Sequence, residues 1–184
     1  LFDIVDESGF TNIATPEISI SATGADSMAF RIDNGSWSSF RAYATTVSDI
    51  DISTGGEGLR RVFVKMRDLA GTETSGDHYD STVYDLTAPA DPSIAITGNQ
   101  GFTNDTTPVL ILSAIGADSM RLQVNDAGWG SWRRYEETIS DLRISESGDG
   151  LKVIAVHYKD AAGNTAGPVY DSTILDRVAP IPVS

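Results

Sequence analysis

Carboxylates at repeated positions are the residues of this chain most suited to chemistry. Seven acidic positions occur twice at nearly constant spacing: Asp26/Asp118, Asp49/Asp141, Glu57/Asp149, Asp68/Asp160, Asp80/Asp171, Asp85/Asp176 and, with acid and amide exchanged, Asp33-Asn34/Asn125-Asp126. Calcium takes about six to eight oxygen ligands in a flexible geometry, and carboxylates supply them. Asp also opens turns by bonding to its own backbone two residues on, with no metal involved. The residue types alone leave both interpretations open.

Aromatic residues repeat in the same way. Trp37, Phe40 and Tyr43 return as Trp129, Trp132 and Tyr135. Rings spaced along an edge strand could form a platform for sugars, so Trp129, Trp132 and Tyr135 are the candidate glycan-binding residues. The alternative is that the rings pack over the open edge of a core. Arg41 and Arg133, which recur beside them, could stack on the rings as cations or solvate that face.

The two histidines do not support an enzyme. His157 aligns with Lys65, and His78 lies beside a one-residue deletion. A catalytic site in each copy needs its acid–base group in both, and neither histidine has a Ser or carboxylate at the spacing of a known motif. The glycines lie in turns without the following helix that a phosphate loop requires. We therefore predict no catalytic activity and no required cofactor.

These residues belong to a sequence that repeats over almost its whole length. Residues 9–74 match residues 101–166 without a gap, and 29 of the 66 positions are identical. One residue is then lost, so that Asp80-Ser81-Thr82 corresponds to Asp171-Ser172-Thr173. Such self-similarity predicts tandem copies of one folding unit. We expect a first domain over residues 1–89, a second over 90–180, and the start of a linker to a following unit over 181–184.

Composition and charge narrow the possible partners. The 184 residues carry 13 basic and 26 acidic side chains, a net charge of −13, and no cysteine. Such a surface repels nucleic acid and anionic lipid, so we predict no nucleic-acid partner. No uncharged run approaches the roughly 20 residues of a membrane span, so we predict no membrane insertion. The lack of cysteine excludes disulfides and thiol chemistry.

The hydrophobic pattern predicts strands. Apolar and polar residues alternate over 18–23, 28–33, 61–66, 120–125 and 153–158. A period of two with one apolar face indicates half-buried antiparallel strands. Turn residues such as Asn34-Gly35 separate these runs, and no segment shows a sustained helical period with caps. The chain is therefore predicted to be all-β, with about seven short strands in each unit forming an antiparallel β-sandwich.

Four apolar residues next to turns are predicted to belong to the core. Leu59 and Leu151 follow the glycine-rich turns and are expected to plug the sandwich. Phe10 and Phe102 precede Thr-Asn and are expected to anchor the crossover of the first strand.

Several short motifs occur in the same order in both copies. In the second copy they are Thr107-Pro108, Ser119-Met120-Arg121-Leu122-Gln123-Val124-Asn125, Trp129-Gly130-Ser131-Trp132, Gly148-Asp149-Gly150-Leu151-Lys152, Lys159-Asp160-Ala161-Ala162-Gly163-Asn164 and the closing Leu175-Asp176-Arg177-Val178-Ala179-Pro180. This series resembles the bacterial immunoglobulin-like, or fibronectin-III-like, repeats of large secreted and cell-surface proteins. The resemblance implies two tandem β-sandwiches in an extracellular or cell-surface array. The first copy departs from the pattern at Leu69 and Thr72.

The resemblance implies a role as well as a fold. The expected function is a non-catalytic structural spacer or adhesion module, a segment of a longer repeat array. The alternative is a carbohydrate-binding accessory region of a secreted polysaccharide-active enzyme. Neighbouring repeats of the same chain are the expected partners, with cell-surface or matrix glycans as further candidates.

The resemblance also suggests where calcium could bind. In an immunoglobulin-like sandwich, the loops that hold Asp118 and Asp160 lie at the same end as the first strand, near the linker residue Asp91. Carboxylates that converge there would repel one another, and calcium would convert that repulsion into a rigid joint. Asp91, Asp118 and Asp160 are therefore the candidate ligands of an inter-domain calcium ion, with plain turn chemistry as the alternative.

Overall fold

The computed structural model describes residues 1–5, 9–97 and 101–182. The chain divides into two compact units, Leu1–Leu86 and Thr87–Ser184, a division a few residues before the predicted domain end at residue 89. Each unit has its own hydrophobic core. The described residues contain strands and turns but no helix, and hence no helix that could cross a membrane.

The first unit consists of two sheets. Its strands are β1 (Phe2–Ile4), β2 (Phe10–Thr11), β3 (Ile18–Ile20), β4 (Ser27–Ile32), β5 (Arg41–Ala42), β6 (Thr46–Val47), β7 (Gly58–Arg67) and β8 (His78–Tyr84). The three-stranded sheet has the order β1-β3-β6, and the five-stranded sheet has the order β2-β8-β7-β4-β5. The core lies between the two sheets and is made by the inward-facing side chains of both.

The second unit repeats this arrangement. Its strands are β9 (Ala90–Ile96), β10 (Phe102–Thr103), β11 (Leu110–Ile115), β12 (Ser119–Val124), β13 (Arg133–Arg134), β14 (Thr138–Ile139), β15 (Gly150–Lys159) and β16 (Thr165–Leu175). The sheet orders are β9-β11-β14 and β10-β16-β15-β12-β13. The prediction of two all-β sandwiches is confirmed.

Each unit has eight strand segments because its first strand serves both sheets. In the first unit β1 pairs antiparallel with β3, whereas β2 pairs parallel with β8 in the opposite sheet. In the second unit β9 pairs with β11, and β10 pairs parallel with β16. All other strand pairs are antiparallel. The prediction of seven strands treated this divided strand as one.

The predicted alternation places the core correctly along the central strands. In β7 the buried side chains include Val62, Val64 and Met66, and in β15 they include Ile154 and Val156. Full burial of one such side chain stabilises the fold by about 1.5–3 kcal/mol.

The predicted core roles of the residues beside the turns are wrong. Leu59 is 48% exposed and Leu151 61%, while Phe10 and Phe102 are 40% and 61% exposed. The reason is strand parity, because Leu59 is an odd number of residues from Val62 and so faces the other side of the sheet. The inward positions next to the turns belong to Arg60 and Lys152.

Arg60 and Lys152 are buried cations at corresponding positions, 8% and 1% exposed. Arg60 donates through Nε to Ile52 O at 3.0 Å and through its terminal nitrogens to Leu59 O and Gly56 O. Lys152 donates through Nζ to Ser147 Oγ at 2.7 Å. Both side chains therefore reach along the core and tie the glycine-rich turn to it, with the aliphatic stem packed and the charge at the turn.

The residue that follows the fourth strand of each unit has a left-handed backbone conformation. Asp33 has φ 49° and Asn125 has φ 52°. Their side chains accept hydrogen bonds from the backbone N–H of Arg61 at 2.8 Å and of Val153 at 2.9 Å, respectively. Each bond extends the pairing of the two central strands by one hydrogen bond. Asn and Asp adopt this backbone conformation more readily than other side chains do.

Replacement of Asn125 by Ala is expected to lower the free energy of unfolding of the second unit by about 1–2 kcal/mol, because Ala loses the hydrogen bond and tolerates positive φ poorly. Asn125→Asp is the matched control, since the first unit has Asp at this position, and it should change the free energy by less than about 0.5 kcal/mol. Urea denaturation of the two variants measures the difference. Equal stabilities would contradict this explanation.

Candidate functional site

The most distinctive surface is the outer face of each five-stranded sheet, where cations and aromatic rings alternate. In the second unit, the guanidinium carbon of Arg121 lies 5.0 Å from the ring centroid of Trp129 and 4.8 Å from that of Trp132. Lys159 Nζ lies 4.7 Å from the centroid of Trp132. The ring of His157 meets Trp129 edge to face at 4.6 Å between centroids. We call these five residues the second-unit ladder.

The first unit has its own ladder, formed by Phe63, Arg31, Trp37, Lys65, Phe40 and Arg67. Arg31 lies 4.1 Å from the centroid of Phe63 and 5.1 Å from that of Trp37. Lys65 Nζ lies 5.0 Å from the rings of both Trp37 and Phe40. Arg67 lies 3.6 Å from that of Phe40. We call this set the first-unit ladder.

The backbone brings the rings over the sheet. The segment after β12 folds back, and Gly130 N donates to Leu122 O at 2.9 Å, as Ser38 N donates to Phe30 O at 2.8 Å in the first unit. A Cβ on Gly130 would lie 3.3 Å from Leu122 O, so the approach is close. Outward-facing positions of the central strands then supply the cations beneath the indoles. Each cation–ring contact contributes about 0.5–2 kcal/mol, depending on burial.

The two ladders take their strand arginine from different positions, so a comparison of aligned residues does not reveal the shared arrangement. Arg31 corresponds to Gln123, whereas Arg121 corresponds to Ala29. The arginine thus occupies a different outward position of the same strand in each copy. The signal available in the sequence was the outward phase of Arg and Lys on strands next to a Trp-containing turn.

The two ladders also differ in their counter-charges. Glu73 bridges two cations of the first-unit ladder, with Oε1 at 2.6 Å from Arg67 and Oε2 at 3.3 Å from Lys65. The hydrogen bond from Arg67 lowers the pKa of Glu73. Asp77 lies 4.0 Å from Arg31. Each of the three cations of the first-unit ladder is therefore paired with a carboxylate of its own chain.

The position of Glu73 is taken by Thr165 in the second unit. Thr165 pairs with Lys159 across the strands, as Glu73 pairs with Arg67. Among residues 1–5, 9–97 and 101–182, no carboxylate forms an ion pair with Arg121 or Lys159. Burial, followed by the charge of Arg121, lowers the pKa of His157.

The predicted glycan platform is only partly assembled. Trp129 and Trp132 lie together over Arg121, but Tyr135 packs against the core. Its hydroxyl donates to Leu112 O at 3.3 Å, and its ring lies 5.9 Å from that of Tyr158. Tyr135 therefore fixes the edge of the sandwich.

Arg133 and Arg41 do not stack on the rings and pair with acids. Arg133 Nη1 contacts the two carboxylate oxygens of Asp141 at 3.0 and 3.1 Å, and Arg41 Nη1 contacts those of Asp49 at 2.8 Å. The hydrogen bond from Arg133 lowers the pKa of Asp141. These exposed pairs contribute little to stability, about 0–1 kcal/mol each.

The candidate calcium ligands are placed as follows. Asp160 is buried, and both its oxygens accept hydrogen bonds from Asn164, from the backbone N–H at 2.8 Å and from Nδ2 at 3.0 Å. Asp118 and Asp91 are exposed, and Asp91 has φ 49°. Within the described part of the chain no group of three or more His, Cys, Asp or Glu is placed to hold a metal ion. Calcium binding by Asp91, Asp118 and Asp160 stays a prediction.

Most repeated acids hold the backbone. Asp80 accepts Ile4 N at 2.7 Å and Ser81 N at 2.8 Å, and Asp171 accepts Ile96 N and Ser172 N at the same two distances. Because β1 and β8 belong to opposite sheets, this carboxylate joins the two layers. The sequence showed that the acid recurs but not which strand it bonds.

A second repeated tie closes the glycine-rich turn. Glu57 accepts the backbone N–H of Leu86, and Asp149 accepts that of Arg177 at 3.0 Å and its Nε at 2.6 Å. The hydrogen bonds from Arg177 lower the pKa of Asp149. The turn is thereby held to the end of the last strand in both units.

Comparison with known proteins supports the fold. No family model and no curated protein matches the chain. Among solved structures, fibronectin(III)-like modules of Clostridium thermocellum CbhA superimpose with a TM-score of 0.59 over 100% of both chains at 12% sequence identity. The chain therefore has the fold of two tandem fibronectin-III-like domains. The low identity shows the fold alone.

Two adhesin structures match more loosely. A tetra-tandem repeat in the extending region of a large adhesion protein gives a TM-score of 0.38 at 17% identity, over 96% of this chain and 48% of that one. A Ca2+-stabilized adhesin that helps an Antarctic bacterium bind ice gives 0.36 at 18% identity, over 89% and 43%. The chain thus spans less than half the length of each of these two structures.

Proposed function

We propose that this pair of fibronectin-III-like domains is a non-catalytic spacer of an extracellular or cell-surface repeat array, built to carry tension along the chain. The observation that carries the proposal is the parallel pairing of the first and last strands in each unit, β2 with β8 and β10 with β16. Parallel strands begin at the same pole of a domain. The chain therefore enters each unit at one pole and leaves it at the other.

This pairing decides how a pulling force acts. Val83 N donates to Gly9 O at 2.9 Å and Asp85 N donates to Thr11 O at 3.0 Å; in the second unit Ile174 N donates to Gly101 O and Asp176 N to Thr103 O, both at 2.9 Å. These bonds run across the strands. A force that pulls the first and last strands in opposite directions shears the bonds of a unit together instead of opening them one at a time.

Two other repeated contacts reinforce the same region. The inter-sheet carboxylates Asp80 and Asp171 hold the first strand, and the ties from Glu57 and Asp149 hold the end of the last one. Both copies therefore share contacts that secure the strands through which tension would pass. The outer surfaces, in contrast, differ between the copies.

Single-molecule force spectroscopy of the two-unit chain tests the proposal. Two unfolding events are expected, one for each unit. Val83→Pro removes the N–H that bonds to Gly9 O but no hydrogen bond between β7 and β8. It should therefore lower the unfolding force of one event only. Ile174→Pro should lower the force of the other.

Val83→Ala and Ile174→Ala are the matched controls, because they trim the side chain and keep the N–H. Forced unfolding reports the unfolding rate, so the controls also separate a local bond from global stability. If the proline and alanine variants unfold at the same force, the strand pairing does not carry the load and the tension-bearing role is wrong.

A further inference from the structure

The second-unit ladder lacks the carboxylate that completes the first-unit ladder. In the first unit, Glu73 lies between Arg67 and Lys65. The corresponding residues of the second unit are Lys159 and His157, and Thr165 stands opposite Lys159. The first unit therefore shows, within the same fold, where a carboxylate group binds on this face.

Unsatisfied hydrogen-bonding atoms border the same place. Arg121 Nε and His157 Nδ1 are buried and have no hydrogen-bond partner among the residues that the structure describes, as is also true of Arg31 Nε and Arg67 Nε in the first-unit ladder. These atoms therefore belong to both ladders, and the missing carboxylate is what distinguishes the second. A buried polar atom without a partner costs about 1–3 kcal/mol. Arg121 and Lys159 form a cluster of basic side chains on a chain whose net charge is −13.

We propose that the second-unit ladder binds the carboxylates of an acidic, uronate-containing polysaccharide. A bound carboxylate would lie between Lys159 and His157, as that of Glu73 lies between Arg67 and Lys65. The inference does not depend on the spacer role, because it concerns the outer face and not the strand pairing.

The rings favour a sugar over an acidic peptide. Trp129 and Trp132 are partly exposed and flank the cations. A uronate residue presents an apolar C–H face and a carboxylate on one rigid ring, which matches an indole beside a cation. A Glu side chain of a peptide presents its carboxylate on a flexible stem and must lose more conformational freedom on binding.

Calorimetric titration of the two-unit chain with polygalacturonate oligosaccharides tests the proposal. One site per chain is expected, and Thr165→Glu should weaken binding about tenfold or more, because it supplies from the chain itself the carboxylate that the ligand offers. Glu73→Thr should have the opposite effect. It exposes Lys65 and Arg67 and should raise the stoichiometry towards two sites per chain.

Three controls decide between explanations. The methyl ester of the same oligosaccharide should not bind, since it lacks the charge, and equal binding of the ester would overturn the proposal. Equal binding of polyglutamate would show that the surface recognises acidic peptide instead. Circular dichroism of both variants verifies the fold. Unchanged binding by a folded Thr165→Glu variant, or no binding by the unsubstituted chain, would contradict the proposal.

Discussion

Asp171→Ala is expected to lower the free energy of unfolding of the second unit by about 2–3 kcal/mol. Its carboxylate accepts the backbone N–H groups of Ile96 and Ser172 at 2.7 and 2.8 Å, and the former belongs to the opposite sheet. Hydrogen bonds to a charged acceptor contribute about 1.5–3 kcal/mol, and a buried donor left without a partner costs a similar amount. The substitution therefore removes one polar tie between the two layers, which the hydrophobic core still joins.

Differential scanning calorimetry measures the effect, because each unit has its own core and is expected to unfold as a separate transition. Asp171→Asn is the control that keeps an acceptor oxygen at the same place, and it should lose less stability than Asp171→Ala. Asp80→Ala should shift the transition of the first unit instead. A loss shared equally by both transitions would contradict the assignment of each carboxylate to its own unit.

Arg60→Met is expected to destabilise the first unit by about 2–3 kcal/mol, more than Lys152→Met destabilises the second. The guanidinium of Arg60 donates to three backbone carbonyls, whereas Lys152 donates to one hydroxyl. Met preserves most of the buried stem in both variants. The difference therefore reports the polar contacts, and replacement of a buried charge with few partners by an apolar chain is often close to neutral.

Thermal unfolding of the two variants gives this comparison within one molecule. Lys152→Arg is the matched control, since it places in the second unit the residue that the first unit has, and it should preserve most of the stability. If Lys152→Met is as costly as Arg60→Met, then the charge itself, and not the set of carbonyls, stabilises the turn.

The parts of the fold that follow from local periodicity could be predicted from the sequence. Alternation along 61–66 and 153–158 located the central strands and their buried side chains, since the two faces of a strand are fixed by counting. The same counting places Leu59 outside and Arg60 inside, which is the opposite of what their polarity indicates. Burial of Arg60 is possible because its charge reaches the turn carbonyls, which a sequence does not display.

Features that depend on contacts far apart in the sequence could not be predicted. The division of the first strand between two sheets depends on which partner each half meets, and the short segment Phe10-Thr11 has no periodicity of its own. Asp171 recurs as Asp80, but its bond to Ile96 spans most of the unit. The two ladders could not be predicted because Arg31 and Arg121 occupy different positions of the same strand. A comparison of aligned residues therefore does not match one arginine with the other.

The divided first strand has a consequence for folding. β2 and β10 have the same sequence, Phe-Thr, each after a glycine, and they bond to the last strands through backbone atoms, which do not distinguish one copy from the other. β10 also lies closer to β8 along the chain than β2 does, which favours the exchanged pair by about 1 kcal/mol of loop-closure entropy. A chain that refolds from denaturant therefore meets a competing pairing that is easier to reach. A ribosome releases β2 and β8 before β10, so during synthesis the native pair of the first unit is expected to form before the competing strand is available.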